Sequence, residues 1–120
     1  MFNFVFISSV LALAGSAAAQ SYYAAAKIYG ADGVKTSPCQ CDNAPVGGAA
    51  FARTIRQELG KDLCCAKVTV NSGGNSIQTV FKDICDSCDA HNIALETEAW
   101  TSLTNMTEDG SLNVFWTVQD

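Results

Sequence analysis

The residues best able to do chemistry crowd into positions 80–96: Asp83, Asp86 and Asp89, the cysteines Cys85 and Cys88, the single histidine His91, and Glu96. Asp83 closes an alternating, extended segment. A carboxyl group in such a place can act as a general acid where burial raises its pKa. Glycoside chemistry also needs a second carboxyl group as base or nucleophile, and Asp86 and Glu96 are the candidates at hand. Cys85-Asp86-Ser87-Cys88 has the spacing of a redox pair, but thiolates form best beside positive charge or a helix N-terminus. Three flanking aspartates oppose that ionisation. The cysteines and His91 also make a poor zinc site in an oxidising compartment, and the aspartates do not complete a calcium loop. No metal or cofactor is expected. With one histidine, no Ser-His-Asp or Cys-His arrangement is suggested.

The elements that must hold these residues are mostly strands. Residues 66–70 and 76–82 flank Asn71-Ser72-Gly73-Gly74-Asn75, which predicts a hairpin with a glycine-rich turn. Leu112, Val114, Trp116 and Val118 alternate with Asn113, Phe115, Thr117 and Gln119, a terminal strand with Trp116 in the core. Phe51, Ile55 and Leu59 recur every four residues, which predicts a helix over 49–59 stopped by Gly60. Residues 97–103 predict a second short helix with Trp100 and Leu103 on one face, and 92–96 read as its start. Residues 38–48 carry loop chemistry.

Phe2 to Ala14 is an apolar run without charge, followed by Ala17-Ala18-Ala19, the pattern of a secretory signal. Residues 1–19 are therefore expected to be removed, leaving 20–120 as a single domain with one core. The run is too short to span a bilayer comfortably, so the expected location is extracellular, with no membrane partner. The chain has 12 acidic and 7 basic side chains, a net charge of −5. The basic residues form no cluster, which argues against a nucleic-acid surface. Six cysteines in a small secreted chain read as a disulfide framework. They fall in three close pairs: Cys39 and Cys41, Cys64 and Cys65, Cys85 and Cys88. Bridging within such a pair is expected to be strained, because disulfides prefer Cα atoms about 5.5–6 Å apart. If no pair bridges internally, the bridges tie the three segments together.

Taken in order, several stretches resemble the double-psi β-barrel superfamily of barwin-like, rare-lipoprotein-A-like and expansin N-terminal domains. They are Ala26-Lys27-Ile28-Tyr29-Gly30, the run from Cys64-Cys65 through Val70, the glycine-rich turn, Val80-Phe81-Lys82-Asp83-Ile84-Cys85, and Val114-Phe115-Trp116. Asn92-Ile93-Ala94-Leu95-Glu96 is similar to cerato-platanins, which usually carry four cysteines and lack the tryptophan ending. The layout is closest to small fungal single-domain members. The resemblance implies a mainly β fold, a six-stranded double-psi β-barrel with two or three short helices, stapled by disulfides. It places Asp83 at the family's groove aspartate and Tyr29 at its groove tyrosine. The second acid of expansin-like members falls on Ala94, which cannot ionise, and an early threonine falls on Lys27. Both departures weigh against turnover. A carboxylate capping a loop is the plain alternative role for Asp83.

Exposed aromatic faces stack on sugar rings, and Tyr22, Tyr23, Tyr29 and Trp100 are the candidates, although Trp100 at helical spacing with Leu103 reads as core. The expected ligand-binding set is Tyr29, Asp83, Asp86 and His91. Asn105-Met106-Thr107 is a glycosylation acceptor. These readings describe a secreted monomer that binds cell-wall polysaccharide or a host surface component without turnover. A wall-loosening or lytic protein using Asp83 is one alternative. An inhibitor of a host protease, contacting it through the loop 83–91, is another.

Overall fold

A computed structural model of the protein describes residues 19–30, 33–60, 62–104 and 110–119. The elements among them run β1 (Ala19–Ile28), β2 (Thr36–Pro38), β3 (Ala49–Ala52), α1 (Arg53–Leu59), β4 (Lys67–Ser72), β5 (Asn75–Cys85), β6 (Ile93–Leu95), α2 (Thr97–Thr104) and β7 (Ser111–Gln119). The signal segment, apart from Ala19, and the acceptor Asn105 lie outside the described residues. Strands β4 and β5 form the expected hairpin, with Gly73 and Gly74 at φ 54° and 95°. Only glycine takes two such residues cheaply, and this turn matches the strand twist.

The strands close on themselves. Neighbours run β5, β3, β6, β1, β7, β4 and back to β5, a six-stranded barrel, and β2 adds along β5 beside Asp83, Ile84 and Cys85. Two neighbouring pairs are parallel, β1 with β6 and β3 with β5, and the others are antiparallel. Parallel partners need long crossovers, and the chain between β1 and β6 supplies β2 to β5, leaving β7 to follow β6. The interior comes from alternation: Val68 and Val70, then Val114, Trp116 and Val118, point inward from adjoining strands. Phe81 sits edge-on to Trp116 at 5.3 Å and to Phe51 at 5.3 Å, a favoured aromatic geometry.

The two tryptophans are both buried, as the periodicities predict, but they differ in hydrogen bonding. Trp116 Nε1 donates to the His91 carbonyl at 2.9 Å, whereas Trp100 Nε1 has no partner among the described residues. Removing one partner of a buried bond strands the other, at about 1–3 kcal/mol, while an orphaned donor has no such bond to lose. Trp116→Phe is therefore expected to destabilise by about 2 kcal/mol more than Trp100→Phe in urea unfolding. Equal losses would refute the assignment.

Three expectations are corrected. The helix over 49–59 is a strand followed by a helix, because Ala49–Ala52 is hydrogen-bonded on both edges, to β5 and to β6, and buried throughout. Continuous apolar runs suit strands enclosed on both faces. The helix begins only at Arg53 and ends at Gly60, φ 70°. Residues 93–95 are likewise strand β6, and the helix starts at Thr97. The cysteines pair as Cys39–Cys64, Cys41–Cys65 and Cys85–Cys88, so one close pair does bridge internally. The turn at Asp86-Ser87 folds the chain back, with Cys88 N–H donating to the Cys85 carbonyl, and holds the two Cα atoms 5.4 Å apart.

Candidate functional site

Asp83 owes its direction to an irregularity in β5. Ala49 pairs with Phe81 but the next residue, Ala50, pairs with Asp83, so Lys82 is an extra residue in the β3–β5 ladder. Such a bulge flips the side-chain alternation and re-aims the residues after it. Phe81 and Ile84 both point into the main core, and Asp83 turns the other way, half-buried, toward the end of β1. Lys82 itself ion-pairs with Glu96 at 3.2 Å.

There the chain brings Tyr29 to it. Backbone Tyr29 N–H donates to Leu95 carbonyl at 2.9 Å just past β1, and the Tyr29 hydroxyl donates to Asp83 Oδ2 at 2.7 Å. Burial, and then the bond to Asp83, hold the Tyr29 phenol far above its ordinary pKa. The proton of the pair stays on Tyr29, and Asp83 is its acceptor. Tyr29 packs on a small buried cluster of Ala50, Cys85 and Ala94, together with Val34 and Cys88. Ala94 is 0% exposed. The position that the sequence resemblance matches to a second acid is thus buried, apolar floor.

Three neighbouring carboxylates are engaged elsewhere. Glu96 Oε1 accepts the Gly47 and Gly48 N–H groups at 3.1 and 2.6 Å as well as Lys82. A side chain at Gly48 would run into Lys82, which explains the glycine. Asp86 bonds Ser37 and Arg53, which hold its carboxyl below the usual range, the Ser37 hydrogen bond most strongly. Glu58 pairs with His91 at 2.8 Å, and the His91 ring lies 4.1 Å from that of Tyr22. Of the four expected ligand residues the fold brings Tyr29 and Asp83 together. It directs Asp86 toward Ser37 and Arg53, and His91 toward α1. Of the aromatic candidates, Trp100 is core, Tyr22 packs half-buried between His91 and Trp116, and Tyr23 is exposed.

The loop 86–92 is fastened along its length. Asp86 N–H donates to Lys35 carbonyl at 2.8 Å, Thr54 Oγ1 to Ala90 carbonyl at 2.9 Å, and Ala25 N–H to Asn92 Oδ1 at 2.9 Å. Beside it opens a cleft of about 150 Å³ lined by Lys27, Val34, Ser87, Cys88, Asp89 and Asn92. Val34 and Cys88 also pack on the Ala94 cluster, so they wall the cleft from the Tyr29–Asp83 pair. Sequence reasoning missed Val34 and the anchoring role of Asn92. Only an amide in a loop after a cysteine pair marks the latter, and that signal is weak. A wider depression of about 540 Å³ lies over Pro45 and the β4–β5 hairpin, with Lys67 its charged lining group. No group of three or more side chains that could hold a metal occurs among the described residues, and no helix among them is long and apolar enough to cross a membrane.

A closed six-stranded barrel with two parallel pairings has the double-psi β-barrel fold. Solved structures carry the same architecture. The chain is similar to the Clavibacter michiganensis expansin, both apo and as a single-residue mutant in complex with cellohexaose, at TM-score 0.63 and 15% and 14% identity. In each case 84% of this chain is covered but 51% of the expansin, so the chain spans about half the expansin's length. It is equally similar to the Streptomyces papain inhibitor: TM-score 0.63, 21% identity, 84% of this chain and 96% of that one. No family model matches, and neither does any curated protein sequence.

Proposed function

We propose that the protein is a secreted polysaccharide-binding barrel that acts by recognition and not by turnover. The observation that carries this reading is the cleft at Lys27, walled by Val34 and Cys88 from a Tyr29–Asp83 pair that has Ala94 buried where a second acid would have to stand. Asp83 accepts the Tyr29 hydroxyl, and Asp86 and Glu96 are committed to Arg53, Lys82 and backbone N–H groups. Three disulfides and the signal-like leader support an extracellular, wall-associated or effector-like setting. The expansin's cellohexaose complex supports a glycan as ligand. The test is retention on insoluble cellulose, chitin and peptidoglycan. Retention on at least one is expected, weakened by Lys27→Ala in the cleft. No retention on any of the three would remove the reading.

A second reading, protease inhibition, has its own support. The papain inhibitor is matched over 96% of its length, and the loop 86–92 is pinned at several points, a pre-organisation that protein-binding loops exploit. Inhibition of papain-type proteolysis, lost on Asp89→Arg, is the expected result for this reading. Undiminished protease activity at excess protein would dismiss it.

A further inference from the structure

The outer face of β1 carries a feature that the Tyr29–Asp83 site does not use. Tyr23 is 83% exposed, the largest aromatic surface on the described barrel. It lies directly across from Phe115 on β7, which in turn stands across from Asn71 on β4. The Tyr23 and Phe115 rings are 4.6 Å apart, forming a two-ring shelf over a depression of about 240 Å³ lined by Asn71, Ser72, Gly73 and Asn113. The cross-strand ring contact steadies the pair, but it leaves most of the Tyr23 ring in water. The rim is also distinctive: in a chain of net charge −5, every polar side chain lining this shelf is a neutral amide or hydroxyl.

We infer that the Tyr23–Phe115 shelf is a stacking subsite for a neutral, β-linked polysaccharide, and that one chain runs from it along β1 to the cleft at Lys27. An apolar face with uncharged donors and acceptors around it fits a pyranose ring, which presents C–H groups on its face and hydroxyls at its edge. It does not fit an acidic or basic peptide. Two rings cannot supply the roughly 800 Å² per partner that a stable dimer buries, so a second copy is the poorer occupant. Continuity supplies the rest. Outward positions on a strand recur every second residue, so Tyr23, Ala25 and Lys27 share a face, and Ala25 and Lys27 line the cleft. Tyr23 to Lys27 spans about 13 Å of strand, room for several sugar units but not for one.

This rests on the polysaccharide-binding reading, and the experiment separates the two. Cellohexaose and chitohexaose, with the matching disaccharides, are titrated calorimetrically into the wild type, Tyr23→Ala, Tyr23→Phe and Lys27→Ala. Tyr23 is exposed, so its replacement leaves the fold intact, and unchanged thermal unfolding verifies this. Tyr23→Ala is expected to weaken hexasaccharide affinity about tenfold, to leave disaccharide binding in the cleft unchanged, and to be rescued by Tyr23→Phe. Should Lys27→Ala weaken hexasaccharide binding while Tyr23→Ala does not, the shelf is overturned and the cleft reading stands. Failure of the wild type to bind any of the four sugars overturns both. Concentration-dependent dimerisation abolished by Tyr23→Ala would assign the shelf to a second copy instead.

Discussion

Ala94→Asp is expected to destabilise the protein by about 3 kcal/mol or more, with no gain of polysaccharide hydrolysis. Position 94 is fully buried against Ala50 and Cys85. A carboxyl group there must displace packed atoms, at about 1–3 kcal/mol, and lose its water without a partner, at a similar further cost. Losses of this size come from a short list of causes, and burying an unpaired acid is one. Urea unfolding at neutral pH measures it. The added carboxyl would also have its folded pKa raised by burial. A raised carboxyl penalises folding where the unfolded chain is ionised, so the deficit should shrink as pH falls toward the ordinary carboxylate range. A variant of wild-type stability would show that the floor is open and that the missing acid is a matter of sequence alone.

The second large effect concerns the paired bridges Cys39–Cys64 and Cys41–Cys65, which close loops of 25 and 24 residues between the same two segments. Closing one such loop stabilises by about 3.5 kcal/mol in the chain-entropy account. With that bridge in place, the other closes a ring of only a few residues, worth about 2 kcal/mol. Replacing either pair by alanine should therefore cost about 2 kcal/mol, and replacing both about 5 kcal/mol, more than the sum of the singles. Since domains of this size hold about 5–15 kcal/mol in total, the double variant should be largely unfolded at elevated temperature. Strictly additive losses in denaturant titrations would contradict this coupling.

Much of the barrel was legible because strict alternation leaves little choice. In β7, Val114, Trp116 and Val118 are buried as their spacing predicts, and the Gly73-Gly74 turn fixes the hairpin. What failed did so for identifiable reasons. Ala49–Ala52 is too short and too uniformly apolar for its period to be read, and Phe51 happens to continue the four-residue spacing of α1. The Cys85–Cys88 bridge depends on how one turn folds, which cysteine spacing does not encode. The site was legible only in part. Tyr29 and Asp83 are 54 residues apart, and family resemblance alone put them together. The Lys82 bulge that aims Asp83 leaves no mark beyond a break in alternation. Tyr22 and Tyr23 must face opposite ways on a strand, but only the contact of Tyr22 with Trp116 decides which one is left in water.

The proposed role is recognition without turnover. Asp83 accepts from its tyrosine, the bulge aims it, and Asp86 and Glu96 are held by Arg53, Lys82 and backbone N–H groups. The central claim is tested most directly by one assay on insoluble cellulose and chitin, reading bound protein and released soluble sugar in the same tube. The account predicts retention on at least one of the two with no sugar released above the protein-free control. Release that rises with protein concentration and disappears in Asp83→Asn, with the variant still folded, would contradict it.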